Sequence, residues 1–421
     1  MGWRFLPHKF FFGENIIPNI FWLSIADGIT RVSKWILIIL ITRFFTPSVY
    51  GEFSFAFNFV IPFAMLANFG TGRLVVRELS QNLHSSNKLS AFLGFRILTS
   101  VLAIIAILCL SSAITSDPVV QRLIFLFAGF IFLNSLVEFF YAIFQGHQRM
   151  RDQALVQILQ SLVLLGGGFL VLINAPKIEN IALLYLASGF IGVLICLLLA
   201  RYYYKGFYFP RIDTAMWRHY FSLSWPIACI GIFTEVFARL DSIMMGYWNQ
   251  FTAVGWYNAV YKLISVLFGI GLIFSYAFFP PMARAAQEAN LKFFQLLKSY
   301  YILSGLILIP IIIILFFFPS QLINMIYGPS YLQAVLAFKL LIVALIFAFL
   351  LLPLKNIFII LNKQKIFLIL LFITVTINFI LNYFLIPKYS LNGAALATAI
   401  SYFMLFISAL IWLVKTRIIK V

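Results

Sequence analysis

The segment Trp225–Tyr247 reads WPIACIGIFTEVFARLDSIMMGY, and it decides the fold. Its length and apolar character suit a helix that crosses a bilayer, which takes about 20 residues. It nevertheless carries Glu235, Arg239 and Asp241. An ionised side chain at membrane depth costs at least about 2.5–3.5 kcal/mol, so such residues normally face a bundle interior or a hydrated cavity. The segment therefore predicts a membrane-spanning helix that borders an internal polar space.

The composition of the whole chain indicates the same class of protein. Hydrophobic residues make up 63% of the 421 positions and charged residues 10%, with a mean hydropathy of +1.03. Soluble proteins carry about 25% charged residues, so we predict a polytopic membrane protein. The net charge of +18 would suggest nucleic acid binding in a soluble chain. Here the basic residues fall mostly in short loops, where they orient a membrane protein, and no nucleic-acid partner is expected.

Apolar stretches separated by charged, proline-rich or glycine-rich turns predict an all-α protein with twelve transmembrane helices. The first stretch is long, contains charged residues and lacks a small-x-small cleavage site, which predicts a retained helix instead of a signal peptide. The predicted spans are 16–41, 53–69, 90–115, 119–145, 154–174, 180–203, 222–247, 253–279, 299–318, 331–358, 366–386 and 391–414.

The distribution of basic residues predicts the orientation of these spans. Most basic residues outside the span centres fall on one side, and Arg73, Arg77 and Arg96 are among them. Basic loops concentrate in the cytoplasm, so both termini are predicted to be cytoplasmic. The basic residues on the opposite side are Arg43, Arg122, Lys177 and Lys388.

The two halves of the chain contain similar segments in the same order. VYGEFSFAFNF (49–59) resembles AVGWYNAVYKL (253–263), and IFQGHQR (143–149) resembles IILNKQK (359–365). Repeats in a transporter place the substrate site at the interface between the halves. We predict two six-helix lobes around a central cavity, an N-terminal lobe over 1–204 and a C-terminal lobe over 219–421, joined by a cytoplasmic linker over 205–218.

Several motifs, in order along the chain, resemble those of polysaccharide flippases. They are YGEF (50–53), LVVRELS (74–80), FSLSWP (221–226), ARLDSIMMG (238–246), VGWYNAVYKL (254–263), FFPPMARA (278–285), MIYGPSYLQA (325–334) and YSLNGAALATAIS (389–401). The sequence is similar to the O-antigen (Wzx-type) flippases of the multidrug/oligosaccharidyl-lipid/polysaccharide exporter superfamily.

This resemblance implies a translocator that is not an enzyme and that resides in the bacterial cytoplasmic (inner) membrane. The implied substrate is an undecaprenyl-diphosphate-linked oligosaccharide, an O-antigen or capsule repeat unit, moved from the cytoplasmic to the outer leaflet by alternating access. Association with polysaccharide assembly proteins is a further expectation.

Charged and polar residues within the spans form the candidate site. Asp27, Arg31 and Lys34 share one face of the first span, and Glu235 and Arg239 share one face of the seventh. A lipid diphosphate carries about two negative charges, which arginine and lysine bind through charge-assisted hydrogen bonds. The predicted substrate-binding cations are Arg31, Lys34, Arg239 and Lys262, and the predicted sugar contacts are Asn58, Tyr257, Asn258 and Tyr261.

The sequence contains no Walker-type nucleotide motif, so we expect an ion gradient, or removal of the substrate outside, to supply the energy. The predicted coupling groups for Na⁺ or protons are the carboxylates Asp27, Glu138, Glu235 and Asp241. The residues do not choose between these ions. No metal and no other cofactor is expected, and the three cysteines lie within apolar spans without a disulfide pattern.

Several alternatives stay open at this point. Asp27–Arg31 and Glu235–Arg239 are pairs four residues apart that would neutralise each other in a purely structural role. The chain is also compatible with a lipid II flippase or an ion-coupled drug antiporter of the same superfamily. A membrane polysaccharide polymerase or ligase is disfavoured, because such enzymes present acid–base residues on a sizeable external loop. All the predicted external loops are short.

Overall fold

The computed structural model describes residues 16–81, 86–204, 209–287 and 291–416, and all regular structure within these ranges is helical. Residues 205–208 of the predicted linker lie outside the described residues. The helices are α1 (Ile16–Phe44), α2 (Pro47–Asn68), α3 (Thr71–Gln81), α4 (Ser86–Ile114), α5 (Pro118–Gly146), α6 (Met150–Asn174), α7 (Ile178–Tyr204), α8 (Thr214–Tyr247), α9 (Phe251–Gln287), α10 (Leu291–Phe317), α11 (Pro319–Tyr327), α12 (Val335–Ile360) and α13 (Gln364–Lys415), and a 3-10 helix (Pro329–Ala334) precedes α12.

Each predicted span coincides with a helix of the described residues, and the protein is an all-α polytopic membrane protein. Nine helical segments in the described ranges are long and apolar enough to cross a membrane. The helices α1 and α8, which carry most of the charged residues singled out above, are not among these nine. The 52-residue α13 contains the last two predicted spans and breaks at Ser390, whose φ is 49°.

The repeated segments IFQGHQR and IILNKQK form the same turn. Gln148 follows α5 with a φ of 55°, and Asn362 follows α12 with a φ of 56°. In both turns the amide of the next residue donates to a carbonyl near the end of the helix at 2.8 Å. A residue in the left-handed conformation with such a bond ends a helix and reverses the chain. Both segments therefore contain the same turn, although the left-handed residues lie two positions apart in the alignment of the two segments.

The described residues divide into two compact units. Unit 1 ends at Phe44, resumes at Ala56 and continues to Glu235, whereas unit 2 comprises Phe45–Phe55 and the residues from Val236 onward. The first turns of α2 thus belong to unit 2. The six-helix lobes and the linker of the sequence analysis stay predictions.

Within unit 1, the segment between the second and third predicted spans forms the amphipathic helix α3. Leu74, Val75 and Leu79 of α3 are buried, whereas Arg73 and Arg77 are exposed. The buried face lies directly on the end of α5, where a Cβ added to Gly146 would come within 2.7 Å of the Leu79 Cβ. Burial of one face fixes the rotation of α3 and so presents both arginines on the other face.

Within unit 2, the first turns of α2 and α9 contact each other through their backbones. A Cβ added to Gly51 would lie 1.7 Å from the carbonyl oxygen of Phe251, and one added to Gly255 would lie 1.9 Å from that of Pro47. These glycines are the shared positions of the repeats VYGEF and AVGWY. Glycine is required at both because no side chain fits between the two helices.

The break in α13 brings its two halves close together. A Cβ added to Gly393 would lie 2.4 Å from the carbonyl oxygen of Leu385. The hydroxyl of Ser390 donates to Oε1 of Gln250 at 2.7 Å, which holds the break against the turn between α8 and α9. Polar side chains before and after the break can therefore reach a common partner.

Candidate functional site

A cavity of about 750 Å³ lies among α1, α3, α5, α6 and α7 of unit 1. Its walls are unusually polar for a membrane-spanning bundle. We call it the unit 1 cavity, and its polar lining residues are Thr30, Lys34, Arg73, Arg77, Asn134, Glu138, Tyr141, Gln145, Gln153, Gln157, Gln160, Ser161 and Ser188.

Three cations line this cavity from two helices. Lys34 comes from α1, and Arg73 and Arg77 come from the exposed face of α3. The two arginines are four residues apart, so they lie on the same side of the helix and point toward one region of the cavity. The planar guanidinium groups of the two arginines, together with the charge of Lys34, can bind an anion in this cavity.

The carboxylate of Glu138 on the cavity wall is held by a polar network. Asn68 and Asn134 donate to its two oxygens at 2.5 Å and 3.2 Å, and Arg96 lies 3.5 Å from it. Arg96 is 1% exposed and also donates to Asn68 Oδ1, to Ser135 Oγ at 3.1 Å and to Thr71. The charge of Glu138 is therefore balanced from inside the protein, which leaves the cations of the cavity available.

The turn between α5 and α6 contributes little charge to the adjacent end of the cavity. Arg149 Nε lies 2.9 Å from Asp152 Oδ2, and its guanidinium carbon lies 3.2 Å from the centre of the Tyr203 ring. Burial, and to a smaller extent the charge of Arg149, lowers the pKa of His147 and so favours its neutral form. The positive charge at this end comes from α3.

In unit 2, polar groups converge on Asp241, which is 6% exposed. Asn382 Nδ2 donates to its Oδ1 at 2.6 Å, and Thr398 Oγ1 donates to its Oδ2 at 2.5 Å. The hydroxyl of Tyr257 also donates to Oδ2. Asn382 and Thr398 stand on opposite sides of the break in α13, so one carboxylate ties α8, α9 and both halves of α13 together. We call this group the Asp241 cluster.

The Asp241 cluster also contains amide atoms without hydrogen-bond partners. Asn378 and Asn382 are both buried, and Asn382 Nδ2 donates to Asn378 Oδ1 at 3.1 Å. Asn382 Oδ1 and Asn378 Nδ2 have no partner in the described structure. Unpaired buried polar atoms cost free energy, so the cluster is suited to take up a further group that satisfies them.

The model of a family described as "Polysaccharide biosynthesis protein" matches residues 16–286. The chain belongs to this family. A capsular polysaccharide biosynthesis protein, CapF of Staphylococcus aureus, is 23% identical over 413 residues, which cover 93% of this chain and 98% of that protein. An uncharacterized membrane protein of Methanocaldococcus jannaschii is 22% identical over 298 residues, 69% of this chain; the match spans only 59% of that protein's length.

Solved transporters share the fold of this polysaccharide biosynthesis protein. The lipid II flippase MurJ in an inward closed conformation matches with a TM-score of 0.75 and 17% identity, covering 94% of this chain and 87% of MurJ. An inward-facing multidrug resistance MATE family transporter of the MOP superfamily matches with a TM-score of 0.69 and 13% identity, covering 94% and 97%. These matches show that the chain shares the fold of these transporters.

The predicted cations of this polysaccharide biosynthesis protein fall in both units. Lys34 lines the unit 1 cavity. Arg31 lies 3.8 Å from Asp27, and the two side chains are 76% and 62% exposed. In unit 2, Arg239 and Lys262 are half-buried. The substrate-binding role of these four residues stays a prediction.

The predicted carboxylates and sugar contacts also fall in different places. Glu138 lines the unit 1 cavity, whereas Tyr257 is buried against Asp241. Asn258 Nδ2 donates to Ser242 Oγ at 3.0 Å, and the Asn258 side chain is half-buried. The other predicted site residues, Asn58, Glu235 and Tyr261, are half-buried, and their roles stay predictions.

Sequence reasoning missed several residues of both sites. Arg96 was counted only for its predicted side of the membrane, and its place in the buried network beside Glu138 was not foreseen. Arg73 and Arg77 were placed in a loop, although the spacing of Leu74, Val75 and Leu79 signals a helix. Uncharged polar residues at helical spacing were the other available signal; these are Gln153, Gln157 and Gln160 in α6, and Asn378 and Asn382 in α13.

Proposed function

We propose that this protein is a flippase that moves a polyprenyl-diphosphate-linked oligosaccharide across the bacterial cytoplasmic membrane by alternating access. The substrate leaves the protein covalently unchanged, so no enzymatic step is required. The observation that carries the proposal is the unit 1 cavity, which combines exposed cations with a polar wall inside membrane-spanning helices.

The charge of the cavity suits a diphosphate. The planar guanidinium groups of Arg73 and Arg77 can each bind two phosphate oxygens at once, and Lys34 adds a third positive charge. Glu138 does not cancel them, since Arg96, Asn68 and Asn134 already hold it. Like charges disfavour a cationic substrate, so the same lining argues against an exporter of cationic drugs.

The size and polarity of the cavity suit a headgroup and not a whole lipid. A volume of about 750 Å³ is in the range of ordinary ligand pockets and too small for a polyprenyl chain in addition to a headgroup. Passing a charged, hydroxylated headgroup through hydrocarbon without hydrogen bonds is prohibitively costly. The polar interior therefore carries the headgroup while the tail remains in lipid.

Membership of the polysaccharide biosynthesis family favours one substrate among those that this chemistry allows. A lipid II flippase would bind a headgroup of the same class, and it is the second candidate. The relative CapF bears the name of a capsular polysaccharide biosynthesis protein, so a capsule or O-antigen repeat unit is the better assignment. A location in the cytoplasmic membrane with cytoplasmic termini, and association with polysaccharide assembly proteins, belong to the same proposal.

The Asp241 cluster is our candidate for energy coupling. The carboxylate, the unpartnered Oδ1 of Asn382 and the hydroxyl of Thr398 are oxygen donors that suit Na⁺, and the carboxylate alone suits a proton. Either cation competes with the hydrogen bonds that join α8, α9 and both halves of α13. Its binding would thus change the balance between two arrangements of these helices.

Reconstituted vesicles test the proposal. The purified protein is placed in liposomes with undecaprenyl-diphosphate N-acetylglucosamine, and a galactosyltransferase that cannot cross the membrane reports the lipid that reaches the outer face. We expect the protein to accelerate this labelling, and the double variant Arg73→Gln/Arg77→Gln to slow it at least about tenfold, since each charge-assisted hydrogen bond contributes about 1.5–3 kcal/mol.

The control is Arg218→Gln, which removes an exposed arginine of unit 1 outside the cavity. It is expected to leave the rate unchanged. Labelling at the rate of protein-free liposomes with the wild-type protein would refute the flippase assignment. Equal rates for the double variant and the wild type would refute the role of the two arginines.

A further inference from the structure

Two rows of polar side chains, on α5 and α6, lie side by side in the wall of the unit 1 cavity. On α6, Gln153, Gln157 and Gln160 recur at the spacing of one helix face, and Tyr141 and Gln145 do the same on α5. The rows are joined by Gln145 Nε2, which donates to Gln153 Oε1 at 2.9 Å, and by the Tyr141 hydroxyl, which donates to Gln160 Oε1 at 3.1 Å.

Gln157 lies between these two bonded pairs, but its side-chain oxygen makes no hydrogen bond of this kind. Its Oε1 is buried and has no hydrogen-bond partner in the described structure. By the register of the two pairs, the position of α5 at its level is Ala142, which has no polar side chain and also lines the cavity. The row of amides thus contains a buried, unpaired acceptor on a residue that lines the cavity.

Helix packing alone does not account for this arrangement. Hydrogen bonds between membrane helices contribute only about 0.6 kcal/mol on average, and two already join α5 to α6 here. A third amide with an unpaired buried oxygen costs about 1–3 kcal/mol. A ligand that donates a hydrogen bond to this oxygen would recover that cost when it binds.

The unpaired acceptor lies at the level of the α3 arginines. A Cβ added to Gly72 would lie 4.0 Å from the Cβ of Ala142, so the first turn of α3 runs beside Ala142, and Arg73 follows Gly72. A diphosphate bound by Arg73 and Arg77 therefore places the group attached to it next to Gln157. In a polyprenyl-diphosphate glycolipid this group is the first sugar.

We infer that Gln157 forms a subsite, with Gln153 and Gln160 on either side, for the sugar attached directly to the diphosphate. The inference rests on the proposed function and adds the contact by which that sugar is bound. The sugar donates a hydroxyl or acetamido N–H to Gln157 Oε1, because an amide oxygen can only accept.

Equilibrium binding to two lipids tests the subsite. The probes are undecaprenyl diphosphate and undecaprenyl-diphosphate N-acetylglucosamine, titrated into the full-length protein in lipid nanodiscs. We expect the wild type to bind the sugar-bearing lipid about threefold to tenfold more tightly, as one additional hydrogen bond allows. Gln157→Met, of similar size, is expected to abolish this preference and to leave the Kd for undecaprenyl diphosphate unchanged.

Two further variants distinguish failure of the subsite inference from failure of the proposed function. Gln321→Met changes an exposed glutamine of α11 and is expected to keep the preference, whereas Arg73→Gln/Arg77→Gln weakens binding of both lipids. A sugar preference that persists in Gln157→Met, or that is absent from the wild type while both lipids bind, overturns the subsite alone. Failure of the wild type to bind either lipid overturns the proposed function. The melting temperature of each variant verifies that it is folded.

Discussion

The unit 1 cavity and the Asp241 cluster both contain charged residues of membrane helices, but they differ in whether these charges are exposed or buried. In unit 1 the cations Lys34, Arg73 and Arg77 are exposed, and Arg96 balances the carboxylate of Glu138 from within. In unit 2 the carboxylate of Asp241 is buried and receives hydrogen bonds from neutral side chains. We therefore propose that the exposed cations bind an anionic substrate and that the buried carboxylate among neutral donors binds a proton or a cation.

The largest effect is expected from Asp241→Asn. The substitution removes the charge that the coupling proposal requires. It also places an amide N–H₂ group against at least one hydrogen-bond donor of the cluster, and this apposition of two donors alone costs about 1–3 kcal/mol. We expect the transport rate in the vesicle assay to fall at least about a hundredfold. The matched control is Asp213→Asn, because Asp213 caps α8 through the amide of Met216 and asparagine caps equally well. A wild-type transport rate in Asp241→Asn would show that transport does not depend on this carboxylate, and would contradict the proposed functional difference between the two regions.

A smaller effect, on stability, is expected from Arg96→Met. The substitution deletes the buried cation and its hydrogen bonds to Asn68, Ser135 and Thr71. We expect the free energy of unfolding to fall by about 2 kcal/mol, since the buried hydroxyls of Ser135 and Thr71 lose their hydrogen-bond partner. Thermal unfolding in detergent measures it, with the exposed Arg218→Met as the control. An unchanged melting temperature would show that Glu138 does not depend on Arg96.

The smallest effect distinguishes two cations of α1. Lys34 lines the unit 1 cavity, whereas Arg31 is exposed beside Asp27. We expect Lys34→Met to raise the Kd for undecaprenyl diphosphate about tenfold, as the loss of one charge-assisted hydrogen bond predicts. Arg31→Met is expected to change it less than about twofold, because exposed ion pairs contribute little. Equal effects of the two variants would place Arg31 in the binding site as well.

The fold of this protein was largely predictable from its sequence. Long apolar stretches in a membrane protein have few alternatives to helices, so each predicted span coincides with one. The repeated glycines Gly51 and Gly255 also had a local physical cause, the direct contact of two helix backbones.

The sites were less predictable, because they depend on which helix faces meet. Charge alone singled out Lys34, Glu138 and Asp241, and the structure places all three in polar surroundings. Neutral partners such as Gln157 and Asn382 carry no charge, and only their recurrence with other amides at helical spacing could have indicated them. The helical pattern of α3 was overlooked because a short amphipathic helix between two spans resembles a charged loop in composition.

The most direct test of the account compares binding to variants of the two regions side by side. The Kd of undecaprenyl-diphosphate N-acetylglucosamine is measured for Arg73→Gln/Arg77→Gln and for Asp241→Asn in nanodiscs. We predict that the arginine variant binds at least about tenfold more weakly than the wild type, whereas Asp241→Asn binds within about twofold of it. Retained binding by the arginine variant together with lost binding in Asp241→Asn would contradict the assignment of the substrate to unit 1.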